Sequence, residues 1–466
     1  MIYAVFLLIA VLMYALAPLD YSQNFNIAIL GLYVFAFFYT FKRQKIKALS
    51  YPTLFFAIFF FVNFAYPVFI YPYDELFIIQ FKYSFSPKYI NAGSALSLIA
   101  FIAFLSGYVW KNRSTVIDTE HQRVFNNKYY SLFTFVAVLV FIYNLYIIIP
   151  QIGISYGDAK VPFQTGSLFV MMESTLSLII CNLYKNEIKG DAFKFFRYLK
   201  LHILLCSLFA LVCLLLGSRE YILTLSLLYV LLYSYYVKPI NMIKMCIGLF
   251  VGLMAFYSIS QMRNNVKIES SKEFFELKPW QNGKVSGAWN LATDLIINNR
   301  NLYVGMQFVD DPNHGYTFGY HFIPNFLSPI PLLPSLFTKY VMNTSVVDLT
   351  SQQMLTYYTR DGLGESSLDY ELGTNCVVDV FMALGLFGVI VLFFYLGYLI
   401  KYLELNSESS TLAFCIYIIL FTSIVFFCRG SFLGPIKNVV WSYWVFCLCM
   451  RKVRYIPNNQ KRLKPL

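Results

Sequence analysis

The sequence predicts an all-α polytopic membrane protein, with about 12 transmembrane helices and one large external loop. Of its 466 residues, 58% are hydrophobic and 13% are charged, whereas soluble proteins carry roughly 25% charged residues. Apolar runs of membrane length recur along the chain, and about 20 such residues span a bilayer core. They are interrupted once, at residues 261–372, by a stretch of mixed polarity. We therefore expect residues 1–466 to form a single integral membrane domain.

The apolar runs are predicted to be helices because lipid cannot satisfy exposed backbone polar groups. They also lack the alternating pattern of a transmembrane barrel. The first run has no basic residues before it and no small-residue cleavage site, so we interpret it as a retained helix. The predicted spans are Ile2–Ala17, Phe25–Phe41, Pro52–Tyr71, Ile90–Trp110, Ser131–Ile149, Ser167–Tyr184, Leu199–Leu216, Tyr221–Val237, Ile240–Ser258, Cys376–Ile400, Thr411–Phe427 and Phe432–Met450.

The basic residues orient these spans, because cytoplasmic loops carry an excess of Lys and Arg. With the N-terminus inside and the spans alternating, the cytoplasmic segments hold 22 of the 36 basic residues. Twelve spans then place the C-terminus inside, where a basic run begins at Arg451. The sequence therefore predicts a multi-pass protein of the cytoplasmic membrane, with both termini in the cytoplasm and the 261–372 loop outside.

The net charge of +12 does not indicate nucleic-acid binding. Membrane topology and anionic lipid headgroups explain it, and the loop has no array of basic and aromatic residues for base stacking. The chain has no P-loop or dinucleotide-binding fingerprint and no His or Cys spacing typical of a metal site. We therefore expect contact with membrane lipid, no nucleic-acid partner, no cofactor and no metal.

The 261–372 loop is predicted to contain structured segments. Residues Lys284–Arg300 have the apolar spacing of an amphipathic helix. Residues His321–Tyr340 form an apolar stretch punctuated by proline, which is too short to span a bilayer. We expect this stretch to lie on the membrane surface or to re-enter it, where it could roof a cavity between the helices.

Arginines at external helix ends are the leading candidates for binding residues, because the positive-inside bias disfavours them there. Arg219 and Arg429 each lie in a tight turn between two spans. Arg263 follows the ninth span, and Arg360 lies late in the loop. A guanidinium binds phosphate through paired hydrogen bonds and stays charged, so these arginines could hold a pyrophosphate. Alternatively, they snorkel to lipid headgroups or pair with acids, as Arg219 could with Glu220.

Acidic and histidine side chains are candidates for acid–base chemistry. Glu173 lies inside the sixth span, some six residues from its outer end, and an intramembrane carboxylate is a functional-site hypothesis by default. Glu365, Asp379 and His321 lie on the predicted outer side. Each could be a base that takes a proton from a sugar hydroxyl, or could orient that group. The alternatives are a helix-to-helix hydrogen bond for Glu173 and solvated or structural roles for the other three.

Several short motifs carry a resemblance to a known family. Gly217–Arg219 resembles the "GSR" turn of O-antigen polymerases of the Wzy type, also called oligosaccharide repeat-unit polymerases. Gly315–Gly319, followed by Ile323 and Pro324, is similar to a segment of their large external loop. Gly373–Asp379 and then Gly385–Gly388 resemble the family's small-residue, acid and G-x-x-G pattern, although the acid there is more often Glu.

The resemblance implies a metal-independent membrane glycosyltransferase with a GT-C-like architecture and a periplasmic loop. Its donor and acceptor would be oligosaccharide repeat units linked to undecaprenyl pyrophosphate, and a chain-length regulator protein would be a further partner. The growing glycan would leave one undecaprenyl pyrophosphate and join the terminal hydroxyl of a new unit, with arginines stabilising the leaving group. An O-antigen ligase and a lipid-linked oligosaccharide flippase are the open alternatives.

Overall fold

Apolar helices dominate the computed structural model of this chain. The described residues are 2–73, 85–110, 121–151, 163–215, 220–241, 243–244, 247–248, 293–344, 348–363 and 373–454. Before the large loop, the named elements are α1 (Ile2–Ala15), α2 (Gln23–Gln44), α3 (Tyr51–Asn63), α4 (Lys88–Val109), β1 (His121–Phe125), α5 (Asn127–Ile148), α6 (Phe163–Leu183), α7 (Lys185–Ile188), α8 (Ala192–Leu215) and α9 (Glu220–Tyr236).

The loop and the C-terminal part continue the helical pattern. Short 3-10 or π turns also occur at Tyr66–Ile70, Ile149–Gln151 and Tyr320–Phe322. The remaining elements are α10 (Thr293–Ile296), α11 (Asn298–Asp310), α12 (Ile323–Leu327), α13 (Leu333–Tyr340), α14 (Ser351–Leu363), α15 (Cys376–Asn406), α16 (Thr411–Thr422), α17 (Ile424–Cys428), α18 (Ile436–Cys449) and β2 (Met450–Arg454).

The helices match the predicted spans in order, although not all in length. Six are long and apolar enough to cross a membrane: Gln23–Gln44, Lys88–Val109, Asn127–Gln151, Thr165–Leu183, Ala192–Leu214 and Cys376–Asn406. Five further predicted spans coincide with shorter apolar helices, which are α1, α3, α9, α16 and α18. Most of the ninth predicted span, Ile240–Ser258, lies outside the described residues. The prediction of a helical membrane protein is confirmed, whereas the number of 12 spans stays a prediction.

Polar residues at the helix starts explain several helix boundaries. Ser22 begins α2 by accepting a hydrogen bond from the N–H of Phe25. Asn375 begins α15 by accepting one from the N–H of Val377 at 2.9 Å. Such caps satisfy N–H groups that have no partner inside the helix. At the other end of α2, Lys45 adopts a left-handed conformation with φ 49°, which closes the last turn.

Two glycines let α4 and α15 cross with their backbones in contact. A Cβ atom added to Gly107 would lie 1.9 Å from the carbonyl oxygen of Phe394, and one added to Gly397 would lie 1.9 Å from that of Phe104. Small residues allow this approach in membrane helices, where packing has to replace the hydrophobic effect. This crossing is the most extensive contact between two described elements.

A small antiparallel sheet departs from the all-α prediction. Strand β1 pairs with β2, so that His121 lies opposite Arg454 and Phe125 opposite Met450. The two strands adjoin the start of α5 and the end of α18, and these helices pack against each other. Their packing brings the two chain segments together, and pairing then satisfies their backbone polar groups. Local composition did not reveal this pairing, because it joins segments far apart in the chain.

The predicted amphipathic helix in the loop continues past its predicted end. Residues 284–292 of the predicted Lys284–Arg300 helix lie outside the described residues. In the described part, α11 begins at Asn298 and continues to Asp310, well past the predicted end. Its first residues are buried against the transmembrane helices rather than exposed on one polar face. The prediction therefore ended this helix too early.

The close helix crossing yields a test of the fold. We expect Gly397→Ala to lower the melting temperature of the purified protein, because its new Cβ meets backbone atoms and forces α4 and α15 apart. Overpacking of this kind costs on the order of 2 kcal/mol. Gly31→Ala in α2 is the matched control, since nothing lies within 4 Å of its added Cβ. Equal melting temperatures for the two variants would contradict the crossing described here.

Candidate functional site

A fully buried carboxylate, Asp379, lies in the first turn of α15. Its two oxygens accept hydrogen bonds from the hydroxyl of Ser351, from the hydroxyl of Ser431 at 2.9 Å and from the N–H of Phe432 at 2.8 Å. Nε2 of His321 lies 3.3 Å from the same carboxylate. The predicted candidates Asp379 and His321 are therefore in direct contact, at the end of the bundle where the loop helices pack. We call this end the loop end.

The contacts of His321 show that its Nε2 carries a hydrogen. Its Nε2 faces the carbonyl oxygen of Asp379 at 3.1 Å as well as the carboxylate. A backbone carbonyl oxygen can only accept, so Nε2 must carry a hydrogen. Nδ1 lies 2.7 Å from the hydroxyl of Thr317, which lies 3.0 Å from the carbonyl of Met382. In this arrangement His321 donates to Asp379, and its Nε2 has no lone pair available for a substrate proton.

The loop segment before His321 packs into an interruption of α15. Gly385 has φ 64° and ψ −159°, which lies outside the helical region and is open essentially to glycine alone. In an unbroken helix the carbonyl of Met382 would accept from residue 386. Here it accepts from the N–H of Thr317 at 2.8 Å, and the Tyr316 ring lies about 3.2 Å from where a Cβ of Gly385 would stand. Two motifs from the sequence analysis, residues 315–319 and 385–388, thus meet.

Arg429 lies in the turn that Asp379 holds. It ends α17, two residues before Ser431, and its guanidinium lies 5.9 Å from the centre of the Phe426 ring. Ser431 also accepts a hydrogen bond from the side chain of Asn325 at 2.8 Å. Within the described part of the chain, the Arg429 side chain makes no hydrogen bond or ion pair. Its donors are therefore not taken up by the described protein groups around it.

Most of the other predicted arginines and loop acids lie outside the described residues. Arg219, Arg263 and Glu365 lie outside them, so their roles stay predictions. Arg360 lies in α14, the helix that begins at Ser351. Among the residues that the structure describes, no group of three His, Cys, Asp or Glu side chains could hold a metal ion.

Glu173 is buried in α6, away from this cluster, and forms a chain of three polar groups. Its carboxylate lies 2.7 Å from Nδ1 of His202 in α8, and Nε2 of His202 lies 2.6 Å from the hydroxyl of Tyr130 in α5. Because α6 begins at Phe163, Glu173 lies deeper in its helix than predicted. The chain joins three helices, which fits the helix-to-helix hydrogen bond considered for Glu173. A lone histidine in an apolar helix had given no signal for His202.

A buried arginine, Arg300, was not predicted as a site residue. It is 1% exposed in α11, and its guanidinium donates to the hydroxyl of Thr359 in α14 at 3.1 Å. Asparagines connect this region to the start of α15, because Asn375 donates to Asn63 at 3.0 Å and to the carbonyl of Asn298 at 3.4 Å.

Long apolar helices with a buried polar cluster at one end of the bundle are typical of a polytopic membrane protein. The chain belongs to the O-antigen polysaccharide polymerase Wzy family, whose sequence model matches residues 1–460. It is therefore a multi-pass membrane protein of polysaccharide biosynthesis. The family implies a glycosyltransferase-like polymerase whose substrates are lipid-linked oligosaccharides. No match was found among curated proteins or among solved structures.

The contacts of Asp379 predict the effect of removing its charge. In Asp379→Asn, one oxygen becomes an amide nitrogen, which donates and cannot accept. Either the contacts with Ser351 and His321 or those with Ser431 and Phe432 then lose their acceptor. Hydrogen bonds to a charged group contribute about 1.5–3 kcal/mol each, so we expect a lower melting temperature and loss of long-chain polysaccharide. Both can be measured, by thermal unfolding and by gel analysis of lipopolysaccharide.

Glu408→Gln is the matched control for this substitution, because Glu408 is an exposed carboxylate after the long helix. It should behave like the wild type in both measurements. Wild-type stability together with wild-type chain length in Asp379→Asn would mean that the buried carboxylate does not hold the loop end together.

Proposed function

We propose that the protein extends a surface polysaccharide at the outer face of the cytoplasmic membrane. In each cycle, the bond between the sugar's anomeric carbon and the pyrophosphate of a lipid-linked donor glycan breaks. A new glycosidic bond forms to a hydroxyl of an incoming lipid-linked repeat unit. That hydroxyl loses its proton, and undecaprenyl pyrophosphate leaves with the bonding electrons. Both substrates are thus undecaprenyl-pyrophosphate-linked oligosaccharides.

The observation that carries the proposal is the state of Arg429. Its turn is held by hydrogen bonds from Ser431 and Phe432 to the buried Asp379, while its own donors make no hydrogen bond or ion pair in the described part of the chain. A held guanidinium with free donors suits an anion whose charge grows as the bond breaks. We propose that Arg429 binds the donor pyrophosphate, with Arg219, Arg263 and Arg360 as further ligands.

The roles proposed for the three base candidates differ. Asp379 accepts several hydrogen bonds and is fully buried, and His321 donates to it. These contacts favour positioning roles for both residues. Of the three, Glu365 is then the residue that we propose as the base for the acceptor hydroxyl.

The distribution of basic residues supports the proposed orientation. The cytoplasmic segments of the predicted topology contain 22 of the 36 basic residues, which is the bias expected for the cytoplasmic side. The loop end, with Asp379 and Arg429, then faces outward. Membership of the polymerase family favours this function over the ligase and the flippase considered from the sequence.

Deletion of the gene tests the proposed function. We expect lipopolysaccharide that carries the core and a single repeat unit, because ligation of one unit continues without polymerisation. Gel electrophoresis of lipopolysaccharide from the deletion strain and from a complemented strain measures this directly. Core with no repeat unit would overturn the proposal, and accumulated lipid-linked polymer would then indicate a ligase, whereas its absence would indicate a flippase.

Substitution of Arg429 tests the proposed anion contact. We expect Arg429→Ala to lower the polymerisation rate about 100-fold, as loss of one donor to a developing anion does in other enzymes. Arg429→Lys should be impaired as well, because an ammonium lacks the paired donors of guanidinium. The rate can be followed in membranes supplied with lipid-linked repeat units, at matched protein levels.

Arg43 provides a matched control in the same protein. Its guanidinium also lies near an aromatic ring, 6.0 Å from the centre of the Tyr39 ring. However, Arg43 is in the last turn of α2, at the end of the bundle opposite to the loop end. Arg43→Ala should therefore keep the wild-type rate. Full activity of Arg429→Ala would refute the pyrophosphate contact and favour snorkelling to lipid headgroups.

A further inference from the structure

Residues 323–341 of the loop are apolar to a degree that is unusual outside a transmembrane helix. Lys339 is the one charged residue among these 19. The segment contains the short helices α12 and α13, joined by a turn. Large apolar side chains are nevertheless exposed along its whole length: Phe326 60%, Ile330 52%, Leu332 75%, Leu336 51%, Tyr340 74% and Val341 66%.

The last helix of the bundle shows how deep this segment lies. Nε1 of Trp441 in α18 donates to the carbonyl of Pro329 at 2.9 Å. Helix α18 has 14 residues, so it is about 21 Å long and shorter than a bilayer core of about 30 Å. Trp441 lies eight residues before Cys449, which adjoins the basic strand β2, and this corresponds to about 12 Å. Pro329 is therefore held at a level well inside the hydrocarbon core.

The long helix α15 gives a second estimate of this depth, measured from the membrane boundary on the loop side. Lys401 and Glu404 form an ion pair near its far end. The unbroken part of the helix from Lys401 back to the interruption at Gly385 covers 16 residues, or about 24 Å, and Asp379 lies six residues beyond that interruption. Asp379 thus lies close to the membrane boundary on the loop side. Phe432 lies at the same level, because its N–H donates a hydrogen bond to Asp379. Trp441 lies five residues into α18 from Ile436, so it lies about 8 Å further into the membrane.

The course of the chain is therefore that of a re-entrant segment. Asn325 is at the level of the boundary, because its side chain donates to Ser431. Four residues later the chain reaches the depth of Trp441 at Pro329. At the end of α13, the ammonium of Lys339 lies 5.5 Å from the centre of the Tyr340 ring. Lysine and tyrosine are residues typical of the membrane interface, to which the chain returns there.

The backbone of the segment suits a membrane interior, where an unsatisfied polar group costs several kcal/mol. Four of its residues have no N–H to satisfy: Pro324, Pro329, Pro331 and Pro334. At the turn, the N–H of Ile330 donates to the carbonyl of Leu327 at 3.0 Å, and that of Leu333 to the carbonyl of Ile330 at 3.2 Å. The carbonyl of Pro329 is taken up by Trp441.

We propose that residues 323–341 enter the hydrocarbon core from the loop side and are embedded there, with their exposed apolar side chains in contact with the hydrocarbon chains of bilayer lipids. Helix α12 packs against α18, in which Trp444 and Leu448 are also exposed. The inference concerns membrane attachment of the loop and does not depend on the proposed function. It makes the loop end part of the membrane rather than a domain in the aqueous phase.

Single cysteine substitutions test this placement. Leu332→Cys and Leu336→Cys are treated with a charged, membrane-impermeant maleimide in membrane fragments open on both faces, so that orientation does not matter. Asn313→Cys, on an exposed turn of the same loop, is the matched control. The described native cysteines are buried apart from the partly buried Cys447, so the wild-type protein sets the background.

We expect both leucine-site cysteines to react at least about tenfold more slowly than the control, because apolar surroundings suppress the reactive thiolate. An environment-sensitive dye coupled through an uncharged maleimide should be quenched by spin-labelled lipids at both sites and not at Asn313→Cys. Labelling as fast as the control would overturn the proposal by placing the segment in water. Slow labelling without lipid quenching would also overturn it, because the side chains would then be covered by protein.

Discussion

The loop end of this protein depends on keeping one buried carboxylate, that of Asp379, fully hydrogen-bonded. Removing a charge from water costs several kcal/mol unless hydrogen bonds replace its hydration. Here the replacing donors come from three separate segments, at His321, Ser351 and residues 431–432. None of these segments can move away without leaving a buried charge short of a donor. A single side chain in α15 thereby fixes two loop segments and the turn before α18.

The interruption of α15 is the second constraint, and it depends on the same loop segment. A helix broken inside a membrane domain exposes a carbonyl that lipid cannot satisfy. The N–H of Thr317 donates to the carbonyl of Met382, and the Thr317 hydroxyl lies 3.0 Å from the same carbonyl. The Tyr316 ring covers the break at Gly385. The loop thus supplies the hydrogen bond that the interrupted helix lacks, and the interrupted helix in turn positions His321 beside Asp379. Sequence motifs far apart in the chain are the two halves of one interaction.

The sequence predicted the helices, which have a local apolar pattern, but not the contacts between residues far apart in the chain. Apolar runs predicted most helices, because lipid allows little other than a helix along such runs. His321 and Asp379 could each be singled out by type and position, but 58 residues separate them, and only the docking of the loop joins them. The partner of Glu173, His202, and the burial of Arg300 depend on helix packing in the same way. The pairing of β1 with β2 had no local signal at all.

The hydrogen bonding of Asp379 also explains why Arg429, the nearby cation, is not paired with this carboxylate. Neutral donors and His321 satisfy this carboxylate, so Arg429 is not needed to neutralise it, although its turn is tied to the same group. Had the guanidinium paired with Asp379, an incoming pyrophosphate would have had to displace a buried carboxylate and leave it uncompensated, at a cost of about 3–5 kcal/mol. Holding the turn through Ser431 and Phe432 keeps the cation in position while its own donors remain open. Such preorganised charge stabilises a departing anion without reorganisation during the reaction.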